Sequence, residues 1–221
     1  FKYAFVKGEI EANPCQYVKV PKNLEKTKRE APTKEELQIV KDNWNLSTAG
    51  FLAYFILLTG CRRGEALALT YGDIDKDRRV ININKTLEWI GNVPQIKNHP
   101  KTDAGRRDIP IPQILLDRLL DGKKHKASEL IFKNQNGNTV TNSGVTRMWN
   151  TYQKETGITI TLHQLRHAYA TILYEAGIDV KAAQTFLGHA NIQTTMDIYT
   201  HLSEAKKADS VSVLDKFLTT F

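Results

Sequence analysis

Residues 48–58 (Thr-Ala-Gly-Phe-Leu-Ala-Tyr-Phe-Ile-Leu-Leu) carry no charge and are apolar almost all the way round a helix. A surface helix keeps one polar face; a helix without one has to be enclosed by other elements. Thr59-Gly60 breaks the run. The apolar stretch around Phe51–Leu58 is far shorter than the roughly 20 residues needed to span a bilayer. It is therefore read as the central helix of a packed domain. A chain of 221 residues can build a sizeable core and accommodates one full domain, or one domain and a fragment.

The rest of the chain supplies the surrounding layers. Thr33-Lys34-Glu35-Glu36 has capping-box spacing and starts a helix through Val40. Arg63–Thr70 reads as a third helix. Val80–Asn84 then alternates apolar and polar, a strand pattern. Thr86–Ile96 holds the turn pair Gly91-Asn92, and Arg107–Ile111 is a short strand closed by Pro112. Helical patterns return at Ile114–Leu120, Ser143–Gln153, Leu162–Ala176, Val180–Leu187, Thr194–His201 and Ala205–Phe221, with Gly177 and Gly188 as stops. The fold class expected is α+β, mainly α-helical, with one small antiparallel sheet. Residues 1–13 read as the end of a helix belonging to an upstream domain. Residues 14–31, with Lys19, Lys22, Lys26, Lys28 and Arg29, read as an extended basic linker, and 32–221 as the main domain.

Function classes narrow by charge and by motif. Lys and Arg number 31 against 24 Asp and Glu, a formal charge of +7, which suits a polyanionic partner. Cys15 and Cys61 alone make neither a disulfide framework nor a zinc cluster, so a reducing cytoplasm is the simpler setting. No secretory signal opens the chain. Phosphate-loop, dinucleotide, zinc-protease and nucleophile-elbow motifs are missing from the sequence. What stands out instead is cations near helix starts. Arg62 follows Thr59-Gly60-Cys61 at the head of a helix, with Glu65 placed to hold its guanidinium. Taken alone this reads more simply as a surface ion pair worth under about 1 kcal/mol. His163 and Arg166 share a helical face. His189 follows Leu187-Gly188, and Tyr199 comes ten residues later. A tyrosine hydroxyl can act as a nucleophile where cations stabilise its phenolate, although a half-buried aromatic is the commoner role. The loop 97–107 carries Lys97, Lys101, Arg106 and Arg107 against Asp103 alone, and is expected to project from a hairpin, where it can reach a partner.

Together the contexts TGCRRGE, PKTDAGRR, LHQLRHAYAT, LGHANIQTT and DIYTH resemble the tyrosine recombinase (phage integrase) family over residues 32–221, most nearly the integrases of Gram-positive phages and conjugative transposons. The resemblance implies that family's catalytic fold, with 1–13 as the end of a core-binding domain and 14–31 as the interdomain linker. It implies that Arg62 and Arg166 clamp the scissile phosphate, and that His163 and His189 hydrogen-bond it. It implies further that Lys101 protonates the leaving 5′-oxygen and that Tyr199 attacks to give a 3′-phosphotyrosine. Glu65 would orient Arg62, and Lys97, Arg106 and Arg107 would bind DNA. No metal, ATP or other cofactor is expected. The implied partners are double-stranded attachment sites, a homo-tetramer in the synaptic complex, and an excisionase or DNA-bending protein, with no membrane and a bacterial cytoplasmic location. The helix 205–221 would pack in cis or dock on a neighbouring protomer. A chromosome-dimer resolving recombinase, a type IB topoisomerase-like enzyme and a non-cleaving DNA-binding regulator stand as alternatives.

Overall fold

The first helix of the main domain starts where its capping box places it. In the computed structural model, which describes residues 1–19, 31–98, 105–200, 202–203 and 218–219, Thr33 caps α2 (Lys34–Asp42). Glu36 N donates to Thr33 Oγ1 at 3.2 Å and Thr33 N donates to Glu36 Oε2 at 3.0 Å, satisfying two of the orphan donors of a helix start. The chain forms two compact units, Phe1–Glu30 and Ala31–Phe221. Among its described residues the first holds one short helix, α1 (Lys2–Val6), which buries none of its residues. Turns follow it where the sequence suggested a longer helix.

In the second unit α3 (Thr48–Thr59) is the centre. Leu52, Ala53, Phe55, Ile56 and Leu57 are fully buried. α3 packs against α2, α4 (Arg63–Ala68), α6 (Asn142–Thr156) and α7 (Leu162–Glu175). Phe55 meets Phe132 edge-to-face at 5.4 Å, and Trp44 meets Phe51 at 5.9 Å. The helix stops at Gly60, which is left-handed (φ +65). A Cβ there would also lie 2.2 Å from the Tyr169 ring, so glycine is required on both counts.

α4 ends two residues earlier than its pattern suggested. Thr70 instead bridges Leu130 and caps a 3₁₀ turn through Asp73. Five short strands follow among the described residues: β1 (Ile74–Asp75), β2 (Val80–Ile83), β3 (Thr86–Ile90), β4 (Val93–Lys97) and β5 (Arg107–Pro110). The small antiparallel β component expected from the sequence is divided into two sheets. β1-β2-β5 is a three-stranded antiparallel sheet, and β3-β4 is a separate hairpin. The division falls at Asn84-Lys85. Lys85 Nζ lies 2.6 Å from Asp73 Oδ2, and Asn84 Nδ2 donates to Asp73 Oδ1 at 3.1 Å. Polar anchoring there turns the chain out of the ladder. The segment 98–106 therefore joins one sheet to the other instead of capping a hairpin; residues 99–104, with Lys101, lie outside the described residues.

α5 (Gln113–Leu120), α6, α7 and α8 (Val180–Leu187) fall where the periodicity put them, within one to three residues at each end. A further helical segment, α9, covers 193–200, and residues 202–203 are helical as well. The basic linker residues Lys22, Lys26, Lys28 and Arg29, His201, and all of 205–221 except 218–219 lie outside the described residues.

Candidate active site

The C-terminal turn of α8 organises the site. Gly188 closes that helix in the left-handed region (φ +63). The last carbonyls of a helix lack intrahelical donors and form the negative end of its dipole. Here three consecutive carbonyls each take a guanidinium. Arg107 Nε donates to Phe186 O at 2.8 Å, Arg166 Nη2 donates to Leu187 O, and Arg62 Nη2 donates to Gly188 O at 2.7 Å. Arg62 arrives as the N-cap of α4, Arg107 from the start of β5, and Arg166 from the second turn of α7. Arg166 also donates through Nη1 to Gly60 O, tying α7 to the end of α3.

Glu65 holds the arginines together from beneath. Its carboxylate accepts four N–H groups: Arg62 N at 2.9 Å, Arg62 Nη1 at 2.8 Å, Arg107 Nη1 at 3.1 Å and Arg107 Nη2 at 2.7 Å. Burial pushes the carboxyl pKa up, but the hydrogen bonds and charge of Arg107, with those of Arg62, outweigh it and leave the group below its ordinary range. Arg62 remains the open cation, its side chain 45% exposed against 1% for Arg107. Burial, aided by the neighbouring Arg62 charge, draws Arg166 down to about 10, still charged at neutral pH.

Two kinds of histidine flank this cluster. Burial, then the charges of Arg166 and Arg62, pull His189 down to about 4, so it is neutral at pH 7. Its Nδ1 lies 2.9 Å from the hydroxyl of Thr195, which is fully buried. His163 and His167, one turn apart on α7, face each other edge-on with Nε2 atoms 3.0 Å apart. Burial and the proximity of His163 and Arg166 hold His167 below its ordinary value.

Tyr199, on α9, stands apart. Its hydroxyl donates to the carbonyl of Ile178 at 3.1 Å, just before α8 begins, while the arginines gather at the other end of that helix. Eight residues span about 12 Å at 1.5 Å each. The ring packs against Tyr174 (5.1 Å, edge-to-face) and the cluster of Tyr169, Leu173, Ala183 and Leu187. Burial and the Asp179 charge raise the phenol pKa.

Of the residues singled out from sequence, Arg62, Glu65, Arg166 and His189 come together, with His163 one turn from Arg166. Arg107, expected as a DNA contact, joins them instead as a buried member with its side chain 1% exposed. Lys97 pairs across the hairpin with Glu88. Arg106 Nη2 reaches Asn98 O at 3.5 Å. Sequence reasoning passed over Thr195, six residues beyond His189 in the same motif. It also passed over one face of α6, where Ser143, Thr146, Arg147, Asn150, Thr151 and Lys154 line a shallow polar concavity. The three- and four-residue spacing of those side chains was the available signal.

A model of the phage integrase family matches residues 23–206, most of the chain, and the chain belongs to that family. It is 28% identical to a XerC-like tyrosine recombinase of Caldanaerobacter subterraneus subsp. tengcongensis, over 97% of this chain and 62% of that protein. It is 30% identical to the ICEBs1 integrase of Bacillus subtilis, over 95% of this chain and 60% of that protein. The chain thus spans about three fifths of the length of these relatives. Among solved structures, the Tn1549 transposon integrase in complex with circular intermediate DNA superposes with a TM-score of 0.65 at 24% identity, over 90% of this chain and 72% of that one. The XerA recombinase superposes at 0.62 and 23%, over 86% and 66%. These likenesses establish a shared fold. No helix among the described residues is long and apolar enough to cross a membrane.

Proposed function

We propose that this chain is the catalytic part of a site-specific DNA recombinase that integrates or excises a mobile element. The observation that carries the reading is the seating of Arg62 and Arg166 on the adjacent carbonyls Gly188 and Leu187, with neutral His189 alongside. Preorganised cations of this kind stabilise charge that develops on non-bridging phosphate oxygens. Arg62 offers the accessible fork and Arg166 the buried one. In this reading the Thr195 hydroxyl, 2.9 Å from His189 Nδ1, donates to it, which leaves the Nε2 proton of His189 for a phosphate oxygen.

Tyr199 is the nucleophile in this reading. Its oxygen bonds to phosphorus, the bond from phosphorus to the 5′-oxygen breaks, and that oxygen takes a proton from Lys101. His163 accepts the phenol proton. The phosphotyrosine retains a phosphodiester, so a 5′-hydroxyl from another strand reverses the step and exchanges strands. The hydroxyl first has to leave the Ile178 carbonyl. The substrate is double-stranded DNA, and exchange between two duplexes calls for four protomers, with an excisionase or bending protein setting direction.

The test is a nicked suicide duplex carrying a candidate attachment core, run beside Tyr199→Phe on a denaturing gel. A covalent adduct with the wild type alone is expected. Its absence on several authentic sites would leave a DNA-binding regulator that does not cleave.

A further inference from the structure

Arg107 has no counterpart among the phosphate-binding roles assigned above, yet it is the most completely engaged side chain of the cluster. Nε donates to Phe186 O, Nη1 to Glu65 Oε1 and to Gly105 O (3.0 Å), and Nη2 to Glu65 Oε2. Four of the five guanidinium N–H groups are thereby directed at protein acceptors. With four of its five N–H groups spoken for, against two for Arg166, it keeps no free fork for a DNA phosphate.

Its contacts converge on Arg62 from two directions. Each oxygen of Glu65 takes one N–H from Arg107 and one from Arg62, so the fork of Arg107 fixes the rotation of the carboxylate that seats Arg62. On the other side the guanidinium lies flat against Gly188, where a Cβ would sit 2.8 Å from Cζ. The carbonyl of that same glycine is the second anchor of Arg62. Gly105 O carries the contact on toward the loop expected to hold the leaving-group lysine. A lysine ammonium, a point charge without the planar fork, cannot reach Glu65, Phe186 and Gly105 at once.

We propose that Arg107 is a positioning residue for strand cleavage, acting on the scissile phosphate through Glu65 and Gly188 by fixing Arg62, and making no DNA contact itself. The inference rests on the recombinase reading. The supporting energetics are those of a buried carboxylate held by a bidentate partner, where loss of the fork leaves an acceptor half-satisfied.

The experiment is a double-mutant cycle on single-turnover adduct formation at saturating suicide duplex, using Arg62→Lys, Arg107→Lys and the pair. DNA affinity is measured for each across a salt series. Arg107→Lys is expected to slow adduct formation about 10- to 100-fold, the range of other residues that orient a reacting group indirectly. DNA affinity and its salt slope should match the wild type. The pair should be hardly slower than Arg62→Lys alone, because both changes remove one function. Losses that multiply would overturn the proposal, since a merely destabilised fold adds its cost independently. A salt slope reduced by about 0.9 in Arg107→Gln, which removes the charge that Arg107→Lys keeps, would overturn it in favour of a phosphate contact. If thermal melts show Arg107→Lys unfolded, Arg107→Gln, which keeps a donor for Glu65, serves in the same cycle. A wild type that forms no adduct removes the recombinase reading and this proposal with it. A wild-type adduct with multiplying losses removes only the role of Arg107.

Discussion

Gly188 concentrates more constraints than any other single position. It ends α8, adopts φ +63, offers its carbonyl to Arg62 and lies against Arg107. Gly188→Ala puts a methyl into the guanidinium and a side chain into the left-handed region. An equilibrium urea melt should show a loss of about 1–3 kcal/mol, and adduct formation should slow further than the stability loss explains. His189 gives a pH signature. Its folded value, about 4, lies below the ordinary 6.5, so the unfolded chain binds a proton that the fold resists. Its contribution to stability is complete above pH 6.5 and is lost as pH falls toward 4. Melting temperature should drop over that window, and His189→Gln should flatten the drop. Arg107 shows where sequence stops short at this scale. A string of letters records its charge, but burial follows from β5 lying beside α8, a long-range fact.

At the scale of elements, the helices were readable because each carries its own punctuation. Thr33 with Glu36 and Thr161 with Gln164 form reciprocal capping pairs, and Gly60 and Gly188 close their helices. Thr33→Ala should cost about 1 kcal/mol by chemical denaturation. The central helix was readable from its lack of a polar face, and Phe55→Ala should cost about 3–5 kcal/mol, the largest effect expected in α3. The strands were less legible. β1 is two residues long and has no period to detect. The split between sheets depends on Asp73 capturing Asn84 and Lys85, residues that look like an ordinary strand end. The α6 concavity escaped notice because its residues are polar and scattered among apolar ones, so they become a surface only when wound at 3.6 residues per turn.

For the molecule as a whole, the charge of +7 bears on DNA binding more than on folding. Affinity of this chain for duplex DNA should fall linearly in log–log terms with salt, at about 0.9 per phosphate neutralised on B-form DNA. Fluorescence anisotropy over a salt series would measure it, and a flat response would contradict an electrostatic interface. The site itself is assembled from α3, α4, β5, α7, α8 and α9. Its residues were listable from motif contexts, while their geometry needed the fold. The sequence showed Tyr199 ten residues after His189, yet the structure seats its hydroxyl on Ile178, across the length of α8 from the arginines. One net hydrogen bond is worth about 1 kcal/mol, a ratio of about five between docked and undocked hydroxyl at room temperature. The hydroxyl bond alone is a bias and not a barrier; the packing of the ring on Tyr174 and its neighbours adds to the hold. On the recombinase reading proposed above, a solitary molecule would still nick DNA now and then, and the accuracy of strand exchange would have to come from how briefly a lone protomer stays on its site.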